Sequence, residues 1–154
     1  MIQDHDDGDA SLKEFIVHED VVVLALLRGC RILVAEDDMM LALAMGRSLE
    51  NAGAQVFGPV KTAADATALA QTAPLTCAVL DVNLGCELVF PAARILKDRN
   101  IRTVFCTGYR ELHGLQVDWP DAQILAKPVR PQILIRTVRS AHKYNDRTSI
   151  RCLA

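Results

Sequence analysis

The sequence has no apolar run long enough to cross a lipid bilayer. Its strongly apolar stretch at residues 21–27 is far shorter than the roughly 20 residues that a membrane-spanning helix requires. The first residues are acidic rather than basic, so they do not have the pattern of a secretory signal peptide. From these absences we expect a cytoplasmic protein with no membrane partner.

Aromatic residues are also scarce, and the charges nearly cancel. Aromatic side chains make up 5% of the 154 residues although 51% of the sequence is hydrophobic, so aliphatic side chains must build the core. The 17 basic and 19 acidic residues give a formal net charge of -2, which excludes a strongly basic nucleic-acid-binding protein. The length suits one domain, and the apolar content argues against disorder.

The sequence also lacks the cysteine patterns that are typical of disulfide-rich or zinc-binding proteins. The five cysteines are an odd number without any Cys-x-x-Cys pair, so neither a disulfide framework nor a zinc site is indicated. We expect these cysteines to be small core residues rather than redox sensors. They are Cys30, Cys77, Cys86, Cys106 and Cys152.

From residue 30 onward, short apolar runs alternate with helical patterns. The predicted strands lie at residues 32–35, 54–58, 77–80, 103–106 and 123–126. Continuous apolar runs of this kind are typical of strands buried on both faces of a parallel sheet. The second run is weaker, which predicts an edge strand that ends at Pro59. Because each strand is followed by a helical segment, the sequence predicts a doubly wound α/β fold with right-handed crossovers.

Caps and apolar stripes mark the helices between the strands. Asp38 can accept hydrogen bonds from the first turn of the first helix, and residues 62–65 resemble a capping box for the second. The predicted apolar stripe of the first helix is Leu41, Met45, Ser48 or Leu49, and Ala52. Pro131 suits the first turn of the last helix, whereas the stretch at residues 108–121 contains Gly and Pro and leaves room only for a short helix.

The two ends of the chain stand apart from this alternation. Residues 1–29 are predicted to be an N-terminal extension whose first ten residues are disordered. The apolar run at residues 21–27 is compatible with a strand or a short helix, and we expect it to pack on its own domain or to join two subunits. Residues 30–143 then form the regular domain, and residues 144–154 form a tail too short for a DNA-binding module.

Chemically active residue types gather where the predicted strands end. An acidic run at residues 36–38 follows the first strand, Asp81 ends the third, Thr107 ends the fourth, and Lys127 follows the fifth. Ligands of doubly wound sheets bind beyond these carboxyl ends. Converging carboxylates would repel one another unless a hard cation such as Mg²⁺ lay among them, and one of them could then act as a nucleophile toward a phosphoryl group. Asp38 by itself needs no role beyond its helix cap.

Four motifs resemble those of the receiver domains of two-component response regulators. They are Glu36-Asp37, residues 80–85 (LDVNLG), residues 105–109 (FCTGY) and Lys127-Pro128, and they follow the family's order and spacing over about residues 30–143. The FCTGY stretch is also similar to the single-domain receivers called FAT GUY regulators. The resemblance implies the flavodoxin-like or CheY-like fold, in which a five-stranded parallel sheet of order 2-1-3-4-5 forms the middle of three layers, α/β/α.

The resemblance implies a role for each oxygen ligand of the site. Asp81 would be the phosphoacceptor and, together with Asp37, a direct ligand of Mg²⁺. Glu36 would hold the cation through water, and the backbone carbonyl of Asn83 would be a further ligand. Mg²⁺ is therefore the cofactor that the resemblance implies.

The same resemblance assigns the phosphoryl-binding and switch residues. Thr107 would hydrogen-bond the phosphoryl group, Lys127 would pair with it, and the peptide bond between Lys127 and Pro128 would be cis. Tyr109 is the nearest large aromatic residue to Thr107, because Ile124 stands where many receivers have an aromatic switch residue. We therefore expect phosphorylation to act mainly by ordering residues 108–122.

The implied function is that of a single-domain response regulator rather than an enzyme. A histidine kinase or a phosphotransfer protein would donate the phosphoryl group to Asp81, and a downstream protein would read it, with no nucleic acid and a possible homodimer. One alternative is a degenerate receiver that binds partners without phosphorylation. A less favoured alternative is a Mg²⁺-dependent phosphatase of the haloacid dehalogenase type, which needs a second Asp where Asn83 stands.

Overall fold

Five parallel strands form one central sheet, and five helices connect or follow them in the described part of the chain. The structure is a computed structural model that describes residues 25–108 and 112–151, with side chains described for residues 25–108 and 114–143. The predictions made for residues 1–24 and for Tyr109 lie outside these described residues.

The elements follow one another in the predicted alternation of strand and helix. The strands are β1 (Arg31–Ala35), β2 (Gln55–Val60), β3 (Cys77–Asp81), β4 (Arg102–Thr107) and β5 (Gln123–Ala126). The helices are α1 (Met39–Asn51), α2 (Ala63–Thr72), α3 (Phe90–Asp98), α4 (Leu112–Asp118) and α5 (Pro131–Arg151). The spatial order β2-β1-β3-β4-β5 is parallel throughout and confirms the predicted 2-1-3-4-5 sheet. Two short strands, Asn83–Leu84 and Glu87–Leu88, form a separate antiparallel hairpin.

Apolar side chains fill one layer on each face of the sheet. On one face, Leu33 and Leu80 pack with buried residues of α2, α3 and α4. On the other face, Ile32 and Val79 pack with buried residues of α1 and α5. Successive residues of β1 and β3 therefore point alternately into two apolar layers, which is why these strands are continuous apolar runs. The three-layer α/β/α arrangement is confirmed.

Helix α1 begins at the predicted cap, and its predicted apolar stripe is confirmed at Met45, Leu49 and Ala52 but not at its first position. The buried residues of this helix are Ala42, Met45, Gly46 and Leu49. Leu41 is 41% exposed, so its predicted place in the stripe is wrong. The buried face of the helix includes Gly46 as well as Met45, and Ala42 lies three and four residues before these two. Ala42 therefore continues the buried face, and Leu41 lies beside it.

Strand β2 lies at the edge of the sheet as predicted, but Pro59 does not end it. The strand continues to Val60, and its register against β1 is irregular. Gly58 has a φ of 101° in this stretch, and a Cβ atom there would come within 2.7 Å of the Val34 carbonyl oxygen. The predicted end at Pro59 is wrong because edge strands and irregular pairings tolerate a residue without an N–H group.

Three cysteines are core residues, as predicted, and one is not. Cys30, Cys77 and Cys106 are buried, and burial raises the pKa of both Cys77 and Cys106 to about 12. Thiols with such a pKa stay protonated and are poor nucleophiles at neutral pH. Cys86 is exposed in the hairpin, so the core prediction is wrong for this residue, and Cys152 lies outside the described residues.

The N-terminal end of the described chain is packed into the domain. Leu27 is fully buried in the layer formed with α1 and α5, and its N–H donates to the carbonyl of Ala52 at 2.8 Å. The end of the 21–27 run therefore packs on its own domain.

Helix α5 continues to Arg151, past residue 143, where we expected a tail to begin. None of the helices within the described ranges is both long and apolar enough to cross a membrane.

Candidate functional site

Three charged side chains meet at the carboxyl end of the sheet. Strands β1 and β3 are neighbours with Ala35 opposite Leu80, so Glu36 and Asp81 follow side by side. Lys127 follows β5, and its side chain reaches past the end of β4 to both carboxylates. Its Nζ lies 2.6 Å from Asp81 Oδ2 and 2.7 Å from Glu36 Oε2. One ammonium group therefore holds two carboxylates together.

This ion cluster is largely withdrawn from water. Glu36 is 0% exposed and Asp81 is 7% exposed. Burial raises the pKa of Glu36 above its ordinary value, although the hydrogen bond and charge of Lys127 act in the opposite direction. Burial alone would lower the pKa of Lys127, but its hydrogen bonds to Asp81 and Glu36 outweigh this effect and raise it. The lysine is therefore protonated at neutral pH, and a further cation near Glu36 would still be favourable.

Asp37 lies at the exposed side of the cluster and is tied to the hairpin. Its Oδ2 accepts a hydrogen bond from the N–H of Gly85 at 3.0 Å. The N–H of Asn83 points to the other aspartate of the site, with a distance of 3.3 Å to Asp81 Oδ1. The connection after β3 is therefore anchored to both aspartates. Gly85 has a φ of 67°, and its contact with Asp37 could not be predicted from the sequence because every non-proline residue carries the same backbone donor.

Asp38 belongs to the helix rather than to the cluster. Its Oδ1 accepts hydrogen bonds from the N–H groups of Met40 at 2.8 Å and Leu41 at 3.1 Å, which confirms the predicted cap. The N–H of Asp38 in turn donates to Glu36 Oε1 at 3.2 Å. The three consecutive acids thus have three different environments: Glu36 is buried, Asp37 is exposed at the site, and Asp38 caps α1.

The remaining predicted site residues lie at the ends of β4 and β5. Thr107 is fully buried, and its carbonyl accepts a hydrogen bond from the Lys127 N–H at 2.9 Å. This bond places the hydroxyl-bearing residue of β4 next to the lysine of the site. The peptide bond between Lys127 and Pro128 is cis. Tyr109 lies outside the described residues.

An aromatic cluster that was not predicted from the sequence lies where β4 meets the start of α3 and the end of α4. The ring of Phe105, from β4, is 5.5 Å from that of Trp119 and 6.3 Å from that of Phe90. Ile124 is half-buried and packs against the same layer. Phe105 is therefore buried in the core, and the half-buried Phe90 and Trp119 pack against it. Their signal in the sequence was weak, because single aromatic residues far apart in the chain do not reveal that they touch.

The residue types and spacing at this edge suit Mg²⁺. One carboxylate oxygen from each of Glu36, Asp37 and Asp81 can be chosen so that all three lie within 4.8 Å of one another. Mg²⁺ prefers such oxygen ligands and retains several of its waters, which suits a cluster that is exposed on the Asp37 side. The residues present therefore fit the cation.

Comparisons with known proteins point to one structural class. No protein-family model and no curated protein matches the sequence, but solved structures do. The response regulator PhyR from Brucella abortus superposes with a TM-score of 0.73 at 20% identity, over 94% of this chain and 60% of PhyR. A response regulator receiver protein from Sinorhizobium medicae superposes with a TM-score of 0.68 at 27% identity, over 75% of this chain and 96% of that protein.

A CheY-like receiver domain protein from Methanospirillum hungatei also superposes on this chain. Its TM-score is 0.68 at 21% identity, over 77% of this chain and 98% of that protein. The chain thus spans three-fifths of PhyR and nearly the whole of the two receiver proteins. The strand order and these structural neighbours show that the chain has the CheY-like fold of response regulator receiver domains.

Proposed function

We propose that the chain accepts a phosphoryl group on Asp81 in the presence of Mg²⁺ and signals by protein contact. The observation that carries the proposal is the ammonium of Lys127, 2.6 Å from Asp81 and 2.7 Å from Glu36, with Asp37 beside them. The arrangement offers a nucleophilic carboxylate and a fixed positive charge, together with oxygen ligands for a cation. Two-component phosphotransfer requires these three parts.

In this proposal each residue has a defined task in the transfer. A carboxylate oxygen of Asp81 forms a bond to phosphorus while the donor's own bond to phosphorus breaks, which is a P–N bond in a phosphohistidine. Asp37 and Asp81, with the carbonyl of Asn83 and water held by Glu36, would bind Mg²⁺, which neutralises charge on the phosphoryl oxygens. Lys127 would pair with one of these oxygens, and the hydroxyl of Thr107 would donate to another.

The role we propose is that of a signalling domain rather than a hydrolytic enzyme. A phosphatase of the haloacid dehalogenase type would need a general acid at position 83, and Asn83 cannot supply a proton there. The FAT GUY subgroup and the switch role of Tyr109 stay predictions. Phosphorylation would act through residues 108–122, whose short helix α4 has only seven residues.

The donor protein would dock on exposed apolar residues beside the site. On α1, Met39, Met40 and Leu43 are 56%, 76% and 45% exposed, and Leu88 of the hairpin is 49% exposed. Large side chains left in water next to a reactive carboxylate are typical of an interaction surface, and methionine adapts easily to different partners. We propose that a histidine kinase or a phosphotransfer protein binds there.

A small phosphodonor tests the chemical part of the proposal. Purified protein incubated with acetyl phosphate and Mg²⁺ should gain the mass of one phosphoryl group, and chelation of the metal or the change Asp81→Asn should abolish this gain. Asp37→Asn should require more Mg²⁺ for the same yield. Asp118→Asn removes an exposed carboxylate of α4 and should behave as the wild type. An unchanged yield in Asp81→Asn would refute the assignment.

A comparison of two donors tests the docking part. Met40→Glu should slow phosphotransfer from the partner protein but leave phosphorylation by acetyl phosphate unchanged, because the small donor needs no docking surface. Val117→Glu is a matched control, since Val117 is 80% exposed on α4. If Met40→Glu and Val117→Glu transfer equally fast from the partner protein, the surface on α1 is not the docking site.

A further inference from the structure

Asp37 is the one carboxylate of the site that Lys127 does not hold. The ammonium of Lys127 contacts Glu36 and Asp81, whereas Asp37 is exposed. In the part of the chain whose side chains are described, the Asp37 carboxylate has a single hydrogen-bond partner, the N–H of Gly85 at 3.0 Å from Oδ2. An exposed aspartate without a partner samples several rotamers, and ordering it costs free energy. The place of Asp37 beside the other two carboxylates therefore depends on this contact.

The hairpin of residues 83–88 gives this backbone donor a fixed base. Its two short strands pair in antiparallel register, and Leu84 is only 3% exposed in the apolar layer that also contains α3. The N–H of the fully buried Val89 donates to the carbonyl of Val82 at 3.0 Å and closes the base of the hairpin. The exposed tip at Gly85 therefore stands on a part of the chain that is packed in the core.

The direction of the Gly85 N–H depends on the left-handed conformation of this residue. Gly85 has a φ of 67° at the first position of a two-residue turn. The turn types that close such hairpins need a positive φ there and favour Gly, Asn and Asp. A Cβ atom at Gly85 would meet no other atom within 4 Å. The position therefore restricts the backbone angle and not the size of the side chain.

We propose that Gly85 is a positioning residue of the Mg²⁺ site, and that its N–H holds one oxygen of Asp37 so that the other remains available to the cation. This inference rests on the proposed function, because it takes Asp37 as a ligand of Mg²⁺. A carboxylate has two oxygens, so the contact at Oδ2 leaves Oδ1 for the metal. Loss of a hydrogen-bond partner behind a metal ligand typically weakens metal binding about 10–100-fold.

Two substitutions of Gly85 separate the effect of the backbone angle from that of side-chain size. Both add a Cβ atom, but Gly85→Asn still permits a positive φ, whereas the β-branched side chain of Gly85→Val opposes it. In an NMR titration of the full chain with Mg²⁺, we expect Gly85→Val to bind the cation about tenfold more weakly than the wild type, and Gly85→Asn to bind it nearly as tightly. Equal Mg²⁺ affinities of Gly85→Val and the wild type would overturn the proposal.

Gly29→Val is the matched control for backbone strain. Gly29 has a φ of 84°, and a Cβ atom there would also meet nothing within 4 Å. It lies before β1, whereas the candidate site lies after it. The control should strain the chain to a similar extent but leave the Mg²⁺ affinity unchanged. A loss of affinity as large as that of Gly85→Val would reduce the effect to general destabilisation and overturn the proposal.

A double-variant cycle shows whether Gly85 acts through Asp37. On the background of Asp37→Ala, Gly85→Val should not weaken Mg²⁺ binding any further, because no carboxylate remains to be positioned. A further loss on that background would mean that the hairpin acts through the Asn83 carbonyl, and it would overturn the proposal.

Amide hydrogen exchange measures the contact without the metal. In metal-free protein, Asp37→Ala should speed exchange of the Gly85 N–H about fivefold, whereas Asp118→Ala, which removes an exposed carboxylate of α4, should not change it. Unchanged exchange in Asp37→Ala would overturn the proposal. Failure of the proposed function gives a different result, in which the Mg²⁺ affinities follow the expected order but Asp81 gains no phosphoryl group. Normal phosphorylation of Asp81 with equal Mg²⁺ affinities would instead refute the role of Gly85 alone.

Discussion

Removal of the Lys127 ammonium should destabilise the protein in a way that depends on pH and Mg²⁺. Lys127→Met keeps most of the volume of the side chain but leaves the carboxylates of Glu36 and Asp81 facing each other without a counter-charge. Loss of one partner of a buried ion pair costs about 3–5 kcal/mol. The Lys127 side chain is 23% exposed, so water can replace part of the interaction, and we expect a loss of about 2–4 kcal/mol in the free energy of unfolding at pH 7.

The sign of the pH dependence follows from the pKa of Glu36. Burial already raises this pKa above 4.5, and the loss of Lys127 removes the interactions that lower it. A group with a raised folded-state pKa favours folding below its unfolded-state pKa, and this contribution is lost as the pH rises through the folded-state pKa. The variant should therefore lose stability more steeply than the wild type as the pH rises above 4.5. In the wild type, the raised pKa of Lys127 keeps the pair intact until the pH rises above the ordinary lysine value of 10.5.

Urea unfolding of both proteins at pH 5 and pH 7, with and without Mg²⁺, measures these effects. Mg²⁺ should restore most of the lost stability of Lys127→Met at pH 7, because the cation supplies the missing positive charge. Lys61→Met is the matched control, since Lys61 is exposed, and it should change the free energy of unfolding by less than about 0.5 kcal/mol. A loss in Lys127→Met that is equal at both pH values and insensitive to Mg²⁺ would refute this electrostatic reasoning.

Three further changes test other parts of the structure. Asp38→Ala should lower the free energy of unfolding by about 1 kcal/mol through the lost cap of α1, and urea unfolding should show Asp38→Ser to be nearly neutral. Without Mg²⁺, Glu36→Gln should raise the free energy of unfolding by about 0.5–2 kcal/mol, and calorimetry should show a higher Tm. The same change should weaken Mg²⁺ binding. A lower Tm would contradict the raised pKa of Glu36. Leu27→Ala should lower the free energy of unfolding in urea by about 2–5 kcal/mol, because Leu27 is 0% exposed. A loss below about 0.5 kcal/mol would mean that this end of the chain is not part of the core.

Hydrophobic periodicity was sufficient to predict the central strands because they are buried on both faces. The predicted run at residues 77–80 became β3, with every residue from Cys77 to Asp81 buried. The edge strand β5 was also predicted with its observed bounds, residues 123–126, although it is only partly buried. Other exposed or edge positions were less predictable. Leu41 and Pro59 were misjudged because the buried face of the helix and an irregular edge register, rather than hydrophobicity, decide their positions.

The members of the candidate site could be named from the sequence, but their contacts could not. Strand order brings Glu36 beside Asp81, and the sequence predicted both residues at the carboxyl end of the sheet. The double contact of Lys127 with these carboxylates depends on side-chain reach across β4, which no spacing in the sequence encodes. The hydrogen bond from the Gly85 N–H to Asp37 was equally hidden, because backbone donors are common to nearly all residue types.

Chemical trapping of the phosphorylated residue tests the proposed function most directly. Borohydride reduces an acyl phosphate to an alcohol, so an aspartyl phosphate is converted to homoserine, which mass spectrometry locates in a peptide. After treatment with acetyl phosphate and Mg²⁺, we expect homoserine at position 81 and at no other aspartate, and none after chelation of Mg²⁺. Homoserine at Asp37 or Asp38 instead, or equal trapping with and without Mg²⁺, would contradict the assignment of Asp81 as the phosphoacceptor.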